Sequence, residues 1–262
     1  MDALLKDVCA VARAAGERML AAGDLRVREK EGHANFVTDL DEAVQAQVIQ
    51  ALTPLLPGAR FIAEEKKNEA APQGYAWVID PIDGTQNFIS GLRHSAVSIA
   101  LLHDGQPLLG AVLNPYADEL FSAARGVGAW LNGEPIHVSM RPLARAVVFF
   151  GTSPYNLELT DRTFAAAKAV FRACCDVRRS GSAALDLCAV AAGRCEGYYE
   201  LRLSPWDYAA GALIVQEAGG CVGALSPDAW GYEHPIAVLA APPQTFGALK
   251  ALVEDAQGGE TR

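Results

Sequence analysis

The chain has 262 residues, of which 51% are apolar and 20% charged, a composition that excludes a disordered protein and allows a large core. Its formal net charge of -9 repels phosphate backbones at long range, so general electrostatic binding of nucleic acid is not expected. A small phosphorylated substrate would need cations at its binding site to reverse that local field.

The N-terminal segment predicts an amphipathic helix and not a targeting signal. Its apolar residues recur at helical spacing, and charges interrupt every apolar stretch. No apolar run in the sequence is long enough to cross a bilayer, so no membrane association is expected. The six cysteines form no CxxC pair, which predicts reduced structural thiols in a cytoplasmic protein.

The first half of the chain predicts two helices and a mostly antiparallel sheet. After the first helix, a second helical pattern covers residues 39–52, with Thr38 or Asp39 as its N-cap. The strand patterns, in chain order, are RFIAE (60–64), YAWVID (75–80, ending at Pro81), two strands within 94–115 joined at Asp104-Gly105, and ADELFSAA (117–124). Asn132-Gly133 predicts one more turn.

The second half alternates strands with helices, which is typical of an α/β arrangement. The predicted strands are VVFFGT (147–152), DVRRS (176–180), CEGYYE (195–200), CVGAL (221–225) and PIAVLAA (235–241). The predicted helices cover 158–171, 182–192, 206–218 and 244–255. We therefore expect two subdomains, an α+β unit over residues 1–145 and an α/β unit over residues 146–262.

The segment WVIDPIDGTQNF carries the strongest chemical pattern. A strand delivers Asp80, and a turn at Pro81 would bring Asp83 into the same small volume. Two carboxylates so close repel each other unless a hard cation such as Mg²⁺ lies between them. An Asx-turn followed by a helix cap is the alternative explanation of the same residues.

Three further acidic elements are ambiguous one by one. Glu64 and Glu65 end the strand RFIAE, where they form either a solvated edge or a neighbour of Asp80. Asp207 opens a helix, as a cap or as a ligand. In VTDLD, Asp39 or Asp41 is a cap or a site residue, while the five histidines are scattered without ligand-like spacing.

Taken in order, these motifs form a family pattern. The sequence resembles the inositol monophosphatase family, part of the lithium-sensitive, metal-dependent sugar-phosphatase superfamily, from about residue 30 to residue 220. The resemblance is carried by VTDLD, FIAEE, WVIDPIDGTQNF, GAWLNGEPIHVS, RRSGSAALDLCAVAAGRCEGYYE and PWDYAAGALIVQEAGG. It implies a mixed α/β fold, with α+β and α/β halves in a layered αβαβα sandwich.

The resemblance also implies a role for individual residues. The expected metal ligands are Glu64, Asp80, the carbonyl of Ile82, Asp83 and Asp207. The expected catalytic residues are Glu65, which would hold a water at the metals, and Thr85 with Asp41, which would orient and deprotonate the attacking water. The expected substrate-binding residues are Gly84, Thr85, Ala183, Glu200 and Lys30.

The activity implied by the resemblance is hydrolysis of a small polyol phosphate monoester, most specifically inositol monophosphate, with two or three Mg²⁺ ions and with lithium as an inhibitor. Fructose-1,6-bisphosphate and 3'-phosphoadenosine-5'-phosphate are alternative substrates for the same metal core. The family further implies that the protein is a homodimer. Its expected binding partner is a small phosphorylated substrate, and no nucleic acid is required. A regulatory binding protein on the same fold is the alternative from a different functional class.

Overall fold

The computed structural model describes residues 2–23, 26–29, 36–66, 73–225 and 230–258. Its α-helices are α1 (Asp2–Leu20), α2 (Asp39–Leu52), α3 (Thr85–Ile89), α4 (Thr160–Ala173), α5 (Ala183–Ala191), α6 (Pro205–Glu217) and α7 (Pro243–Gly258). Its strands are β1 (Val27–Glu29), β2 (Phe36–Thr38), β3 (Arg60–Ala63), β4 (Tyr75–Asp83), β5 (Ala96–His103), β6 (Gln106–Asn114), β7 (Glu119–Ala124), β8 (Gly128–Leu131), β9 (Glu134–Pro135), β10 (Val147–Phe150), β11 (Asp176–Arg178), β12 (Gly197–Leu203), β13 (Cys221–Ala224) and β14 (Ile236–Ala241). Short 3-10 turns cover Leu143–Arg145 and Leu157–Leu159.

Five layers alternate between helices and sheets. The two large sheets have the strand orders β3-β4-β5-β6-β7-β8-β9 and β11-β10-β12-β14-β13. Helices α1 and α2 pack on one face of the seven-stranded sheet, and α4 and α7 pack on the outer face of the five-stranded sheet. Helices α5 and α6 lie between the sheets and share one hydrophobic core with both. The predicted αβαβα fold class is confirmed, whereas the division of the chain at residue 145 stays a prediction.

Helix α2 begins and ends where the sequence predicts because its first turn is capped by side chains. Thr38 is extended at the N-cap, its hydroxyl accepts hydrogen bonds from the first-turn amides, and the carboxylate of Asp41 accepts one from the Thr38 amide. This reciprocal capping box fixes the start of the helix and buries Asp41 completely. The same residue is thus both a helix cap and a neighbour of Thr85 in the site described below.

Strand β4 runs beyond the residue where the sequence predicts its end. It continues through Pro81 to Asp83, and its pairing with β5 shifts register between Asp80 and Asp83. Proline is tolerated there because an irregularity removes the need for its amide in the ladder. The amide of Ile82 donates instead to a carboxylate oxygen of Asp80 at 3.0 Å. The irregularity turns two aspartates of one strand toward the same volume.

The described residues of the turns and cysteines agree with the sequence analysis. Asp104 and Gly105 both adopt the left-handed conformation that a two-residue hairpin between β5 and β6 requires. All six cysteines are free thiols. Among the described helices, none combines the length and the apolar character needed to cross a bilayer.

Helix α6 approaches strand β6 so closely that only glycine fits between them. A Cβ added at Gly110 would lie 3.0 Å from both the Cα and the carbonyl oxygen of Ala210 in α6. Those are backbone atoms of a buried helix, so they cannot yield as a flexible side chain would. This contact sets the position of α6, and with it the position of Asp207 in its first turn.

We expect Gly110→Ala to lower the free energy of unfolding by about 1–3 kcal/mol, because overpacking forces the helix away from the sheet. The matched control is Gly247→Ala in α7, where an added Cβ meets no described atom within 4 Å and should stabilise the helix by about 0.5–1 kcal/mol. Urea denaturation of both variants measures the difference. Equal stability of the two variants would contradict the close contact.

Candidate active site

Three aspartates from distant parts of the sequence meet at the C-terminal end of β4. Asp80 and Asp83 lie in the last residues of that strand, and Asp207 lies in the first turn of α6. One carboxylate oxygen of each lies within 4.8 Å of the other two. Asp80 and Asp83 are buried, and Asp207 is partly buried. The structure therefore brings together three of the five predicted metal ligands in one small volume.

The electrostatics of this cluster favour bound protons or a bound cation. Burial, and then repulsion from the neighbouring carboxylates, raise the pKa of Asp80 and of Asp207 well above its ordinary value. Burial also raises the pKa of Asp83 to about 6, although hydrogen bonds from Ser182 and from the amide of Ala184 oppose the shift. An all-oxygen donor set of this charge fits a hard divalent cation such as Mg²⁺.

The two remaining predicted ligands flank the three aspartates. Glu64 follows β3, and because β3 runs parallel and adjacent to β4, its amide donates to the carbonyl of Ile79 at 3.3 Å. Its side chain is close enough to be a cause of the raised pKa of Asp80. The backbone of Ile82 lines the same cavity, and its carbonyl accepts a hydrogen bond from the Thr85 hydroxyl at 3.0 Å.

The predicted catalytic pair lies beside the metal ligands. The hydroxyl of Thr85 is 3.3 Å from one carboxylate oxygen of Asp41, and the other oxygen accepts hydrogen bonds from the amide and the hydroxyl of Thr38. Asp41 is fully buried, and Thr85 is 8% exposed. Thr85 is one of the residues that line the cavity, and its hydroxyl is the group that contacts Asp41.

Glu65, the next predicted site residue, follows Glu64 and contacts helix α2. The amide of Glu65 donates to the side-chain oxygen of Gln45 in α2 at 2.9 Å, which holds the start of the following loop against that helix. Lys30 lies outside the described residues.

Gly84 shapes the turn between β4 and α3. Its backbone is left-handed, with φ 86° and ψ 41°, a conformation that glycine adopts without strain. An added Cβ would also lie 3.0 Å from the carbonyl oxygen of Gly181 and 3.2 Å from that of His94. Both constraints require glycine here, and the turn presents the first amides of α3, which have no acceptor within the helix.

The carboxylates form one end of a cavity of about 390 Å³. Ala183 and Glu200, the predicted substrate contacts, line the same cavity, and both influence the pKa of Asp83. Glu200 is buried and accepts three hydrogen bonds, from the Tyr198 hydroxyl at 2.7 Å and from the Ser153 amide and hydroxyl at 2.7 and 3.1 Å. Burial raises its pKa, and these donors oppose the shift.

Sequence reasoning missed several residues of the cavity wall. They are Ser153, Tyr155, Arg179, Ser182, Asp186 and Arg202. Two of them could have been found from the strand patterns, because both lie at the end of a strand. Arg179 directly follows β11, and Arg202 lies two residues after Glu200 in β12. Ser182 could not have been found from spacing, because it reaches Asp83 across 99 positions of sequence.

Comparisons with known proteins find relatives and solved structures that cover most of the chain. The model of the inositol monophosphatase family matches residues 1–257. The Nus factor SuhB of Escherichia coli strain K12 is 38% identical over 230 residues, which cover 86% of this chain and 85% of the relative. The structure of the Thermotoga maritima IMPase superposes with a TM-score of 0.88 at 30% identity, over 98% of each chain. An IMPase/NADP phosphatase complexed with Mg²⁺ and phosphate superposes with a TM-score of 0.78 at 25% identity, over 87% of this chain and 86% of that one.

We expect Asp83→Asn to stabilise the metal-free protein while weakening its response to Mg²⁺. A raised pKa means that the folded state binds this proton more tightly than the unfolded state does. Stability in a chelator should therefore fall as pH rises from about 4 through about 6, and the neutral amide should flatten that fall. Excess Mg²⁺ should raise the melting temperature of the unsubstituted protein and raise that of the variant much less.

Differential scanning fluorimetry across this pH range, in chelator and in Mg²⁺, makes the measurement. Asp255→Asn is the charge-matched control, since Asp255 is exposed on α7 and outside the cavity. An equal Mg²⁺-induced shift in Asp83→Asn and in the control would rule out Asp83 as a metal ligand.

Proposed function

The chain belongs to the inositol monophosphatase family, and we propose that it is a Mg²⁺-dependent phosphatase that hydrolyses a small polyol phosphate monoester. Inositol monophosphate is the first substrate candidate, with fructose-1,6-bisphosphate and 3'-phosphoadenosine-5'-phosphate as alternatives. The observation that carries the proposal is the convergence of Asp80, Asp83 and Asp207, whose oxygens lie within 4.8 Å of one another. The solved neighbour complexed with Mg²⁺ and phosphate supports both the metal and the anion.

The metal-binding residues in this proposal are Glu64, Asp80, the carbonyl of Ile82, Asp83 and Asp207. When bound, two or three Mg²⁺ ions would neutralise the phosphate, lower the pKa of the attacking water and stabilise the leaving alkoxide. Glu65 would hold a water beside them. The structure supports this assignment by the shared cavity and by carboxylates that repel one another in the absence of a cation.

The Thr85 hydroxyl and Asp41 form the proposed proton relay. The attacking water would give its proton to the Thr85 oxygen while the Thr85 hydroxyl gives its own proton to Asp41, 3.3 Å away. Thr38 keeps the second oxygen of Asp41 occupied by donating to it, so the accepting oxygen is oriented toward Thr85. General base assistance of this kind contributes about 10²–10⁴-fold to rate.

The substrate itself would be held by both halves of the cavity. We assign the phosphate to the amides of Gly84 and Thr85, since the left-handed turn at Gly84 presents them. Ala183 and Glu200 would contact the hydroxyl-bearing part, with one acceptor site of Glu200 still available after its three internal bonds. Lys30 is retained as a residue near the site on family resemblance alone, as are inhibition by lithium and a homodimer. A cytoplasmic location stays a prediction from the cysteine pattern.

A regulatory binding role is the second candidate, because the Escherichia coli relative is named a Nus factor. The two candidates differ in what the acidic cluster is for. A purely regulatory protein has no need of four carboxylates whose mutual repulsion costs stability, so we propose catalysis first and a binding role beside it. Phosphate release by the purified protein separates the two.

We expect purified protein to release phosphate from at least one member of a panel of inositol-1-phosphate, fructose-1,6-bisphosphate and 3'-phosphoadenosine-5'-phosphate. Release should require Mg²⁺ and stop in a chelator. Asp83→Asn should fold yet lose orders of magnitude in turnover, since it changes a charged ligand to a neutral one. A panel without any release would favour the regulatory candidate, and full turnover by the variant would exclude the metal assignment.

We expect Thr85→Val to lower kcat at least about 100-fold and Thr85→Ser to keep most of the activity, because only the second variant retains the hydroxyl. Valine leaves the carbonyl of Ile82 without this donor, at a stability cost of about 1 kcal/mol, so both proteins should remain folded. Initial rates of phosphate release at saturating Mg²⁺ give the comparison, and circular dichroism checks the fold. Equal rates for the two variants would remove Thr85 from the relay.

A further inference from the structure

Part of the cavity wall is formed by residues at one edge of the five-stranded sheet, where β11 and β12 end. Strands β11 and β12 both pair parallel with β10, so their carboxyl ends meet at the same edge, where α/β sheets bind ligands. Arg179 follows the end of β11, and Arg202 lies near the end of β12. Both side chains are exposed and line the cavity that the acidic cluster closes at its other end.

Two features of the wall direct the second arginine into the cavity. Glu200 and Arg202 are two positions apart near the end of β12, and both line the cavity. The pairing of β12 with β14 also shifts register between Glu200 and Leu203, which bends the strand end beside the cavity. Ser153 anchors this bend, since its hydroxyl contacts both Glu200 and the carbonyl of Arg202, the latter at 3.0 Å.

The residues around Arg179 and Arg202 offer more hydrogen-bond donors than they have acceptors. Glu200 has already accepted three hydrogen bonds from Tyr198 and Ser153. Arg179 spends one N–H on the hydroxyl of Thr152 at 3.2 Å, and within the described part of the chain the Arg202 guanidinium has no hydrogen-bond or ion-pair partner. A guanidinium has five N–H donors, so most of the donors on these two exposed side chains are available to an acceptor-rich ligand that displaces water.

The charges near Arg179 and Arg202, like their hydrogen-bond donors, favour an anionic ligand. Glu200 and Asp186 also line the cavity, and both are buried. Burial raises the pKa of each carboxyl group, and the nearby Arg179 opposes the shift in both cases. Neither Arg179 nor Arg202 has an ion-pair partner within the described part of the chain, and a neutral polyol would supply none.

We propose that Arg179 and Arg202 form a second anion subsite, so that the substrate is a phosphate monoester carrying a further phosphate or carboxylate group. This inference rests on the proposed phosphatase function, and it places the doubly anionic alternatives ahead of inositol monophosphate as substrates. Arginine binds phosphate and carboxylate through paired, charge-assisted hydrogen bonds, so the subsite selects for the second charge. A cavity of about 390 Å³ holds a small sugar or nucleoside that carries two anionic groups.

The test compares kcat/KM for inositol-1-phosphate, fructose-1,6-bisphosphate and 3'-phosphoadenosine-5'-phosphate in Mg²⁺. The unsubstituted protein should prefer one of the doubly anionic substrates by about tenfold or more, and which one it prefers distinguishes a sugar from a nucleoside. Arg202→Gln should lower kcat/KM for that substrate at least about tenfold, mainly through KM, and leave inositol-1-phosphate within about twofold. Arg179→Gln should act in the same direction.

Two variants make the comparison specific. Arg202→Lys should recover part of the loss, because it restores the charge without the paired geometry. Arg145→Gln is the matched control, since Arg145 is exposed in a 3-10 turn outside the cavity and should leave every substrate unchanged. Preference for inositol-1-phosphate, or a substrate ratio that neither Arg202→Gln nor Arg179→Gln changes, would overturn the subsite while leaving the phosphatase intact.

A binding measurement separates failure of the subsite from failure of the proposed function. If no substrate in the panel is hydrolysed, the phosphatase proposal fails, and calorimetric titrations with fructose-1,6-bisphosphate and with 3'-phosphoadenosine-5'-phosphate in Mg²⁺ still examine the arginines. Binding that weakens about tenfold in Arg202→Gln but not in Arg145→Gln supports the subsite. Absent binding, or binding that both variants share unchanged, overturns it.

Discussion

The mutual repulsion of buried carboxylates is the constraint on which the rest of this structure depends. Asp80, Asp83 and Asp207 lie within 4.8 Å of one another, and Glu64 adds to the repulsion that Asp80 experiences. Such a cluster costs stability when it is charged and unpaired, so the surrounding fold must hold it together against its own field. A divalent cation turns the same cost into binding energy, because every repelled charge becomes a ligand.

The layers of the fold hold this cluster by rigid contacts. One pair of aspartates is fixed by the irregular end of β4, and the third by α6, which is pressed against β6 at Gly110. Neither element can move away without separating a sheet from a helix that both sheets share as core. The proposed metal ligands therefore depend on packing outside the cavity, which is why a residue such as Gly110 bears on the geometry of Asp207.

The sequence could predict what depends on local rules. The capping of α2 at Thr38, the hairpin at Asp104-Gly105 and the order of the elements follow from residue type and spacing. The continuation of β4 through Pro81 could not be predicted. Proline locally favours the end of a strand, but here the pairing of β4 with β5 continues past it. The same holds for the hydrogen bonds of Glu200, whose donor Ser153 is 47 positions away.

The missed residues explain why the substrate is the hardest feature to infer from sequence. Acidic motifs indicate a metal centre because its ligands must be oxygen atoms, which carboxylates supply. The rest of the cavity wall has no such requirement, and it includes residues at the ends of β10, β11 and β12. In this chain those residues include Arg179 and Arg202, while Glu200 is held mostly by internal donors. Opposite charges therefore line one cavity. Cations beside the aspartate cluster and a second anion beside the two arginines would pair both kinds of charge, and this pairing matters most for the buried carboxylates.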